Sequence, residues 1–83
     1  MKVQVRYFAS LREALGPSET VELADGSRLQ ALRDHLVARG GRHAEALSRG
    51  RAVRCAVERV MCDETTLLAD GAEVAFFPPV TGG

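Results

Sequence analysis

Apolar and polar residues alternate through KVQVRYFA at the head of the chain. Val3, Val5 and Tyr7 fall on one side of an extended segment, and Gln4, Arg6 and Phe8 on the other, so residues 2–9 are expected to form a strand. In the SLREALGP stretch that follows, Ser10 and Glu13 have capping-box spacing, Gly16 is a helix stop and Pro17 forbids continuation, which predicts a helix of two turns. TVEL (20–23) predicts a second strand with Val21 and Leu23 on one face. After the turn ADGS, Ser27 and Gln30 repeat the capping-box spacing ahead of a longer helix. Its Leu29, Leu32 and Leu36 recur at helical spacing, with Arg28, Arg33, Asp34 and Arg39 expected on the solvent side and Gly40–Gly41 at its end. Residues 42–50 carry only a weak helical pattern.

VRCAVERVMCD has the form of a hairpin. With Glu58–Arg59 as the two-residue loop, Val57 opposes Val60, Ala56 opposes Met61 and Cys55 opposes Cys62, although tight primed turns favour Asn-Gly or Asp-Gly. Cys55, Val57, Val60 and Cys62 would then face inward. A turn at Ala69-Asp70-Gly71 leads to a last strand, GAEVAFFPP, which Pro78 ends because proline cannot donate to a ladder. The order β, short α, β, α, hairpin, β predicts an α+β domain. One main helix would lie on a mixed sheet of four or five strands, burying Val3, Val5, Tyr7, Val21, Leu23, Val74 and Phe76 against the Leu29/Leu32/Leu36 stripe.

Eighty-three residues make a single domain, and a chain of this size buries only roughly 60% of its unfolded surface. Hydrophobic residues make up 46% and charged residues 27%, the balance of a globular chain. Eleven basic and eleven acidic residues cancel, so the positive surplus of a nucleic-acid binder is missing and no nucleic-acid partner is expected. No apolar run approaches the ~20 residues that cross a bilayer. The opening residues also lack the continuous apolar core of a secretory leader, so no membrane association and a cytoplasmic location are expected, with both cysteines reduced.

Little of the usual catalytic apparatus is visible. His35 and His43 lack a second ligand at metal spacing, so no metal site is expected, and neither a phosphate-binding loop nor a dinucleotide fingerprint is present. Cys55 and Cys62 fit small buried hydrophobes, and Arg39, Arg42, Arg49 and Arg51 fit either a solvated face or a docking surface. Strand parity gives a stronger signal. Phe8, Met61 and Phe77 each fall on the face of their strand opposite the core residues. Three large apolar side chains on the uncovered side of the sheet form a protein-docking patch if they are contiguous.

The closing residues, VAFFPPVTGG, carry a second signal. Pro78 and Pro79 hold Val80 and Thr81 extended, and Gly82 and Gly83, lacking Cβ, suit a channel too narrow for other residues. The tip offers one functional group, the Gly83 α-carboxylate. Being ionised at neutral pH it is a poor electrophile, so it would need activation as an acyl-phosphate or acyl-adenylate by a separate ATP-using enzyme.

YFASLREALG, LADG and above all EVAFFPPVTGG resemble the small subunit of molybdopterin synthase, the MoaD family of ubiquitin-like sulfur carriers, along the whole chain. The resemblance implies the ubiquitin-like β-grasp fold. It implies that Gly83 is adenylated by an E1-like (MoeB-like) enzyme using ATP and magnesium, this chain itself binding no cofactor. A thiocarboxylate then replaces the carboxylate. The tail Val80-Thr81-Gly82-Gly83 enters the active site of the large catalytic subunit and donates sulfur to cyclic pyranopterin monophosphate, which becomes the dithiolene of molybdopterin. Two small and two large subunits would make a heterotetramer. Phe8, Met61 and Phe77 fall where the family places its apolar docking residues, and Arg12 matches its Arg-Glu pair. Where the family usually shows an Asn-containing hairpin turn, this chain has Glu58-Arg59. A sulfur carrier for thiamine or cysteine synthesis shares the same chemistry, and a ubiquitin-like protein modifier would share the same terminal glycines.

Overall fold

The computed structural model describes residues 1–79. Eight elements follow in the order β1 (Lys2–Tyr7), α1 (Ala9–Leu15), β2 (Ser18–Glu22), α2 (Leu29–Val37), α3 (Gly41–Leu47), β3 (Arg54–Val57), β4 (Val60–Cys62) and β5 (Glu73–Phe77). The strands form one mixed sheet in the order β2-β1-β5-β3-β4. β5 is its middle strand, parallel to β1 and antiparallel to β3. The α+β layout matches the sequence expectation, with five strands and, beside the main helix α2, two shorter helices.

Alternation explains the sheet. Along β1 exposed and buried residues alternate, and Val3, Val5 and Tyr7 are fully covered. The register sets Val3 against Val21, Val5 beside Val74, and Tyr7 beside Phe76, so one face collects the large apolar side chains. Leu29, Leu32 and Leu36 of α2 lie over that face with no exposure at all. Each such side chain contributes about 1.5–3 kcal/mol. Leu11 of α1, Leu47 of α3 and Leu68 complete the core, whereas Leu23 only packs at its edge.

The hairpin has the register expected: Cys55 pairs with Cys62, Ala56 with Met61 and Val57 with Val60. The turn residues Glu58 and Arg59 both take positive φ, 49° and 67°, without help from glycine. Val60 departs from expectation. It is 67% exposed, because β4 is a three-residue edge strand beyond the reach of the helices.

Both capping boxes fail, for tertiary reasons. The Phe8 amide donates to the Phe76 carbonyl at 3.1 Å, so sheet pairing carries through Phe8, which becomes the N-cap of α1 in place of Ser10. At α2 the amides of Leu29 and Gln30 donate to the carbonyls of Thr66 and Glu64, both at 2.9 Å, while the Ser27 hydroxyl closes its own turn on Ala24. Residues 41–47 form a two-turn helix, α3, anchored by the buried Leu47. Arg33 lies inside the protein, 4% exposed, and not on the solvent side of α2. Its guanidinium donates to the carbonyls of Leu47 (2.7 Å), Ser48 (2.8 Å) and Arg51 (3.0 Å) and to Glu64 (2.7 Å). One charged side chain therefore satisfies the end of α3 and the loop after it.

Candidate functional site

All three helices send their buried leucines to the same side of the sheet, which leaves its other side open. On that open side the outward residues form rows across neighbouring strands. Met61, Ala56, Ala75 and Arg6 make one row through the pairs Met61–Ala56, Ala56–Ala75 and Ala75–Arg6. The next row holds Arg54 paired with Phe77, with Phe8 adjoining through its bond to Phe76. The two alanines are short, so Met61 and the two phenylalanines bound one continuous apolar floor. Met61 is 56% exposed, Phe8 39%, and Phe77 half-buried. Strand parity had grouped these three residues, and the fold does bring them to one face.

Charge borders that floor. Arg6 pairs with Glu73 at 3.2 Å and lies over the Phe8 ring, 5.7 Å from its centroid. The Glu73 amide in turn donates to Glu58 at 2.8 Å, tying the hairpin tip to β5. Sequence reasoning passed over Arg6, Arg59 and Glu73, since isolated surface charges carry no periodic signal.

The four tail residues Val80, Thr81, Gly82 and Gly83 lie outside the described residues. The chain leaves the middle of the sheet at Phe77, and Pro78 and Pro79 follow half-buried. Pro78 also lines a groove of about 850 Å³ between α1 and α3, bordered by Glu13, Glu45, Arg42 and Arg51.

Behind the sheet, Glu19 gathers three partners. The Tyr7 hydroxyl donates to it at 2.7 Å, His43 contacts it at 2.9 Å, and Arg39 pairs with it. Burial alone would raise this carboxyl, but the bonds from His43, Arg39 and Tyr7 outweigh burial and hold it below the ordinary carboxylate range. Burial, and then the adjacent Glu19, push the Tyr7 phenol far above its usual range. The cluster fastens α3 and the turn between α2 and α3 to the β1–β2 edge. Much of the expected basic patch is spent in such pairing: Arg39 on Glu19, Arg49 on Asp34 and Glu64, and Arg51 on the Glu45 carbonyl.

Cys55 and Cys62 are free thiols, with Cys55 Sγ donating to the Cys62 carbonyl at 3.3 Å. Among the described residues no three His, Cys, Asp or Glu side chains converge as metal ligands, and no helix is long and apolar enough to cross a membrane.

A family model described as the ThiS family matches residues 5–83. The chain belongs to the ThiS family. Within it, the chain is 43% identical over 81 residues to the molybdopterin synthase sulfur carrier subunit of Escherichia coli strain K12, spanning 98% of this chain and 99% of that protein. Its structure is similar to that in the complex of subunits 1 and 2 of the molybdopterin-converting factor of Helicobacter pylori 26695, with TM-score 0.71, 26% identity and all of both chains covered. SAMP1 of Haloferax volcanii, at TM-score 0.75 and 25% identity, also covers both chains completely. The fold of this ThiS-family chain is the ubiquitin-like β-grasp.

Proposed function

We propose that this chain is the sulfur carrier subunit of a molybdopterin synthase and works in the cytoplasm. The observation that carries the reading is end-to-end likeness to proteins named as that subunit, 43% identical in the Escherichia coli case. Gly83 is the working residue. Its carboxylate attacks the α-phosphorus of ATP on an E1-like enzyme that holds the magnesium, and pyrophosphate leaves. A sulfur nucleophile then attacks the acyl carbon and AMP leaves: hydrosulfide gives the Gly83 thiocarboxylate directly, and a persulfide gives an acyl disulfide that a second thiol cleaves to the thiocarboxylate, itself ending in a disulfide. The thiocarboxylate is anionic at neutral pH and its sulfur is a soft nucleophile that needs no general base.

The folded body delivers the reagent. Val80, Thr81 and Gly82 thread into the larger subunit while the open face carrying Phe8, Met61 and Phe77 docks against it. Tethering raises the effective concentration of the sulfur at the pterin precursor, cyclic pyranopterin monophosphate. Two carriers and two larger subunits make the assembly. The complex of subunits 1 and 2 from Helicobacter pylori supports a partnership of this kind.

Reconstitution tests the reading. Purified chain, activating enzyme, sulfur source, larger subunit and pterin precursor should yield molybdopterin, and one alanine added after Gly83 should abolish the yield. Undiminished synthesis by the extended chain would refute it. The likeness to SAMP1, a small archaeal modifier protein, favours a second reading in which Gly83 forms isopeptide bonds. High-mass conjugates that disappear on deletion of Gly83 would support that reading instead.

A further inference from the structure

The basic side chains around the point where the chain leaves the sheet are of one kind. Of the 11 lysines and arginines, only Lys2 is a lysine. Arg54 pairs with Phe77 across β3 and β5, and Arg6 lies one row back beside Ala75. On the helix side, Arg42 and Arg51 border the groove that Pro78 lines. All four are exposed guanidiniums.

The amines and thiols lie elsewhere. Lys2 opens β1, which runs parallel to β5 with Tyr7 level with Phe76, so Phe77 is level with Phe8. Lys2 is therefore six strand residues away, about 20 Å at ~3.3 Å per residue. The Met1 ammonium is at that same far end, donating to the Leu23 carbonyl at 2.8 Å and pairing with Asp25 at 3.2 Å. Cys55 and Cys62 share the inner side of the hairpin, opposite to Arg54, and Cys55 is buried.

We propose that Arg54, Arg6, Arg42 and Arg51 form a cationic collar that the activated terminus cannot acylate, so that Gly83 is kept for the sulfur nucleophile. The proposal rests on the carrier reading above. A free amine that attacks the acyl-adenylate carbon loses a proton, expels AMP and leaves an amide, and that terminus can no longer take up sulfur. A lysine ammonium titrates near 10.4 and a guanidinium at about 12.5–13.8, so near neutrality lysine offers its free base at least ~100-fold more often. The guanidinium nitrogens are also delocalised. Arginine thus supplies a positive surface beside the tail without supplying a nucleophile. Six residues beyond Phe77 span at most about 20 Å. Position 54, one strand or ~4.8 Å away, lies well within that span. Lys2 lies at its limit and only for a chain folded straight back along the sheet, a reversal that the fixed φ of Pro78 and Pro79 opposes.

The test uses the full chain prepared with an aryl thioester on Gly83, which stands in for the adenylate and needs no activating enzyme. The chain is held dilute at pH 9, where about 4% of a lysine side chain is free amine. An internal amide is lighter by one water than the hydrolysed chain, so intact mass separates the two products and fragmentation locates the bond. The unmodified chain should hydrolyse. Arg54→Lys should raise the internal amide about ten-fold or more, with Arg51→Lys as a second variant and thermal melts to verify folding. Capture by either variant and not by the unmodified chain supports the collar. Capture at Lys2 in the unmodified chain overturns it, as does hydrolysis of both folded variants at the unmodified rate with no amide. Sulfur loading of the unmodified chain by activating enzyme, ATP, magnesium and a sulfur source is measured alongside. If loading fails, the carrier reading falls and the collar's purpose with it; if loading proceeds while both lysine variants escape capture, the collar alone is overturned.

Discussion

Replacing Arg33 by methionine should separate what holds this domain together from what it delivers. Methionine keeps the length and apolar stem of arginine, so no large void opens, and the loss is confined to hydrogen bonds and charge. Four contacts disappear at 2.7–3.0 Å. The Leu47 carbonyl, buried beside a leucine with no exposure, is left without a donor at a cost of about 1–3 kcal/mol. The Ser48 and Arg51 carbonyls lie nearer solvent and lose net bonds of roughly 0.5–1.5 kcal/mol each. Glu64 keeps Arg49, so its share is small. A total of about 3–5 kcal/mol agrees with the cost of removing one partner of a buried ion pair. A domain of this length has only about 4–12 kcal/mol of stability, and at about 4–8 °C per kcal/mol the melting point should fall by more than ~12 °C. Urea unfolding followed by far-ultraviolet circular dichroism gives the difference directly. A loss below about 1 kcal/mol would refute the reasoning, since it would mean that three carbonyls and a carboxylate find other partners without penalty. At low temperature, where the variant remains folded, its capacity to accept and donate sulfur should be unchanged, because Arg33 touches neither the open face nor Pro78.

Three further outcomes follow from the described contacts. Glu19 is held below the ordinary carboxylate range in the folded state, so it contributes stability that is present above about pH 4.3 and is lost as pH falls through its folded value. Glu19→Gln should therefore flatten the acid limb of the stability profile, and an unchanged limb would contradict the cluster. Burial, then the neighbouring Cys62, push the Cys55 thiol up, so Cys55 should resist thiol reagents at mildly alkaline pH until urea unfolds the chain; rapid labelling in the native state would count against its placement. Arg59→Gly relieves the positive φ and should stabilise the isolated domain by about 0.5–1 kcal/mol in urea unfolding. A variant no more stable than the unmodified chain would contradict the strain assigned to that turn.

The sheet was legible in the sequence because a period of two has few solutions. With Glu58–Arg59 as the loop, parity alone fixes all three hairpin pairs and sends Phe8, Met61 and Phe77 to the face opposite Val74 and Phe76. The helix starts were not legible. Ser10 and Ser27 have the right spacing for local caps, but the amides they would have served are taken up by Phe8 and by the distant carbonyls of Glu64 and Thr66. The position of Arg33 was hidden for a related reason. On a helical wheel it belongs to the polar side, and it is buried only because α3 and its following loop close over it, a tertiary fact with no periodic trace. α3 itself has one apolar turn, too little to distinguish a helix from a loop. The Arg6–Glu73 pair on the open face was hidden because its members are 67 positions apart and meet only through the parallel pairing of β1 with β5.

The central claim concerns the terminal atoms of Gly83, and intact-protein mass spectrometry reads them most directly. Protein isolated from cells with a working activating enzyme and sulfur supply should contain a fraction heavier by one oxygen-to-sulfur exchange. Fragmentation should place that exchange on Gly83, and incubation with the larger subunit and pterin precursor should discharge it. Protein of unmodified mass throughout, from cells in which the activating enzyme is demonstrably active, would contradict the account.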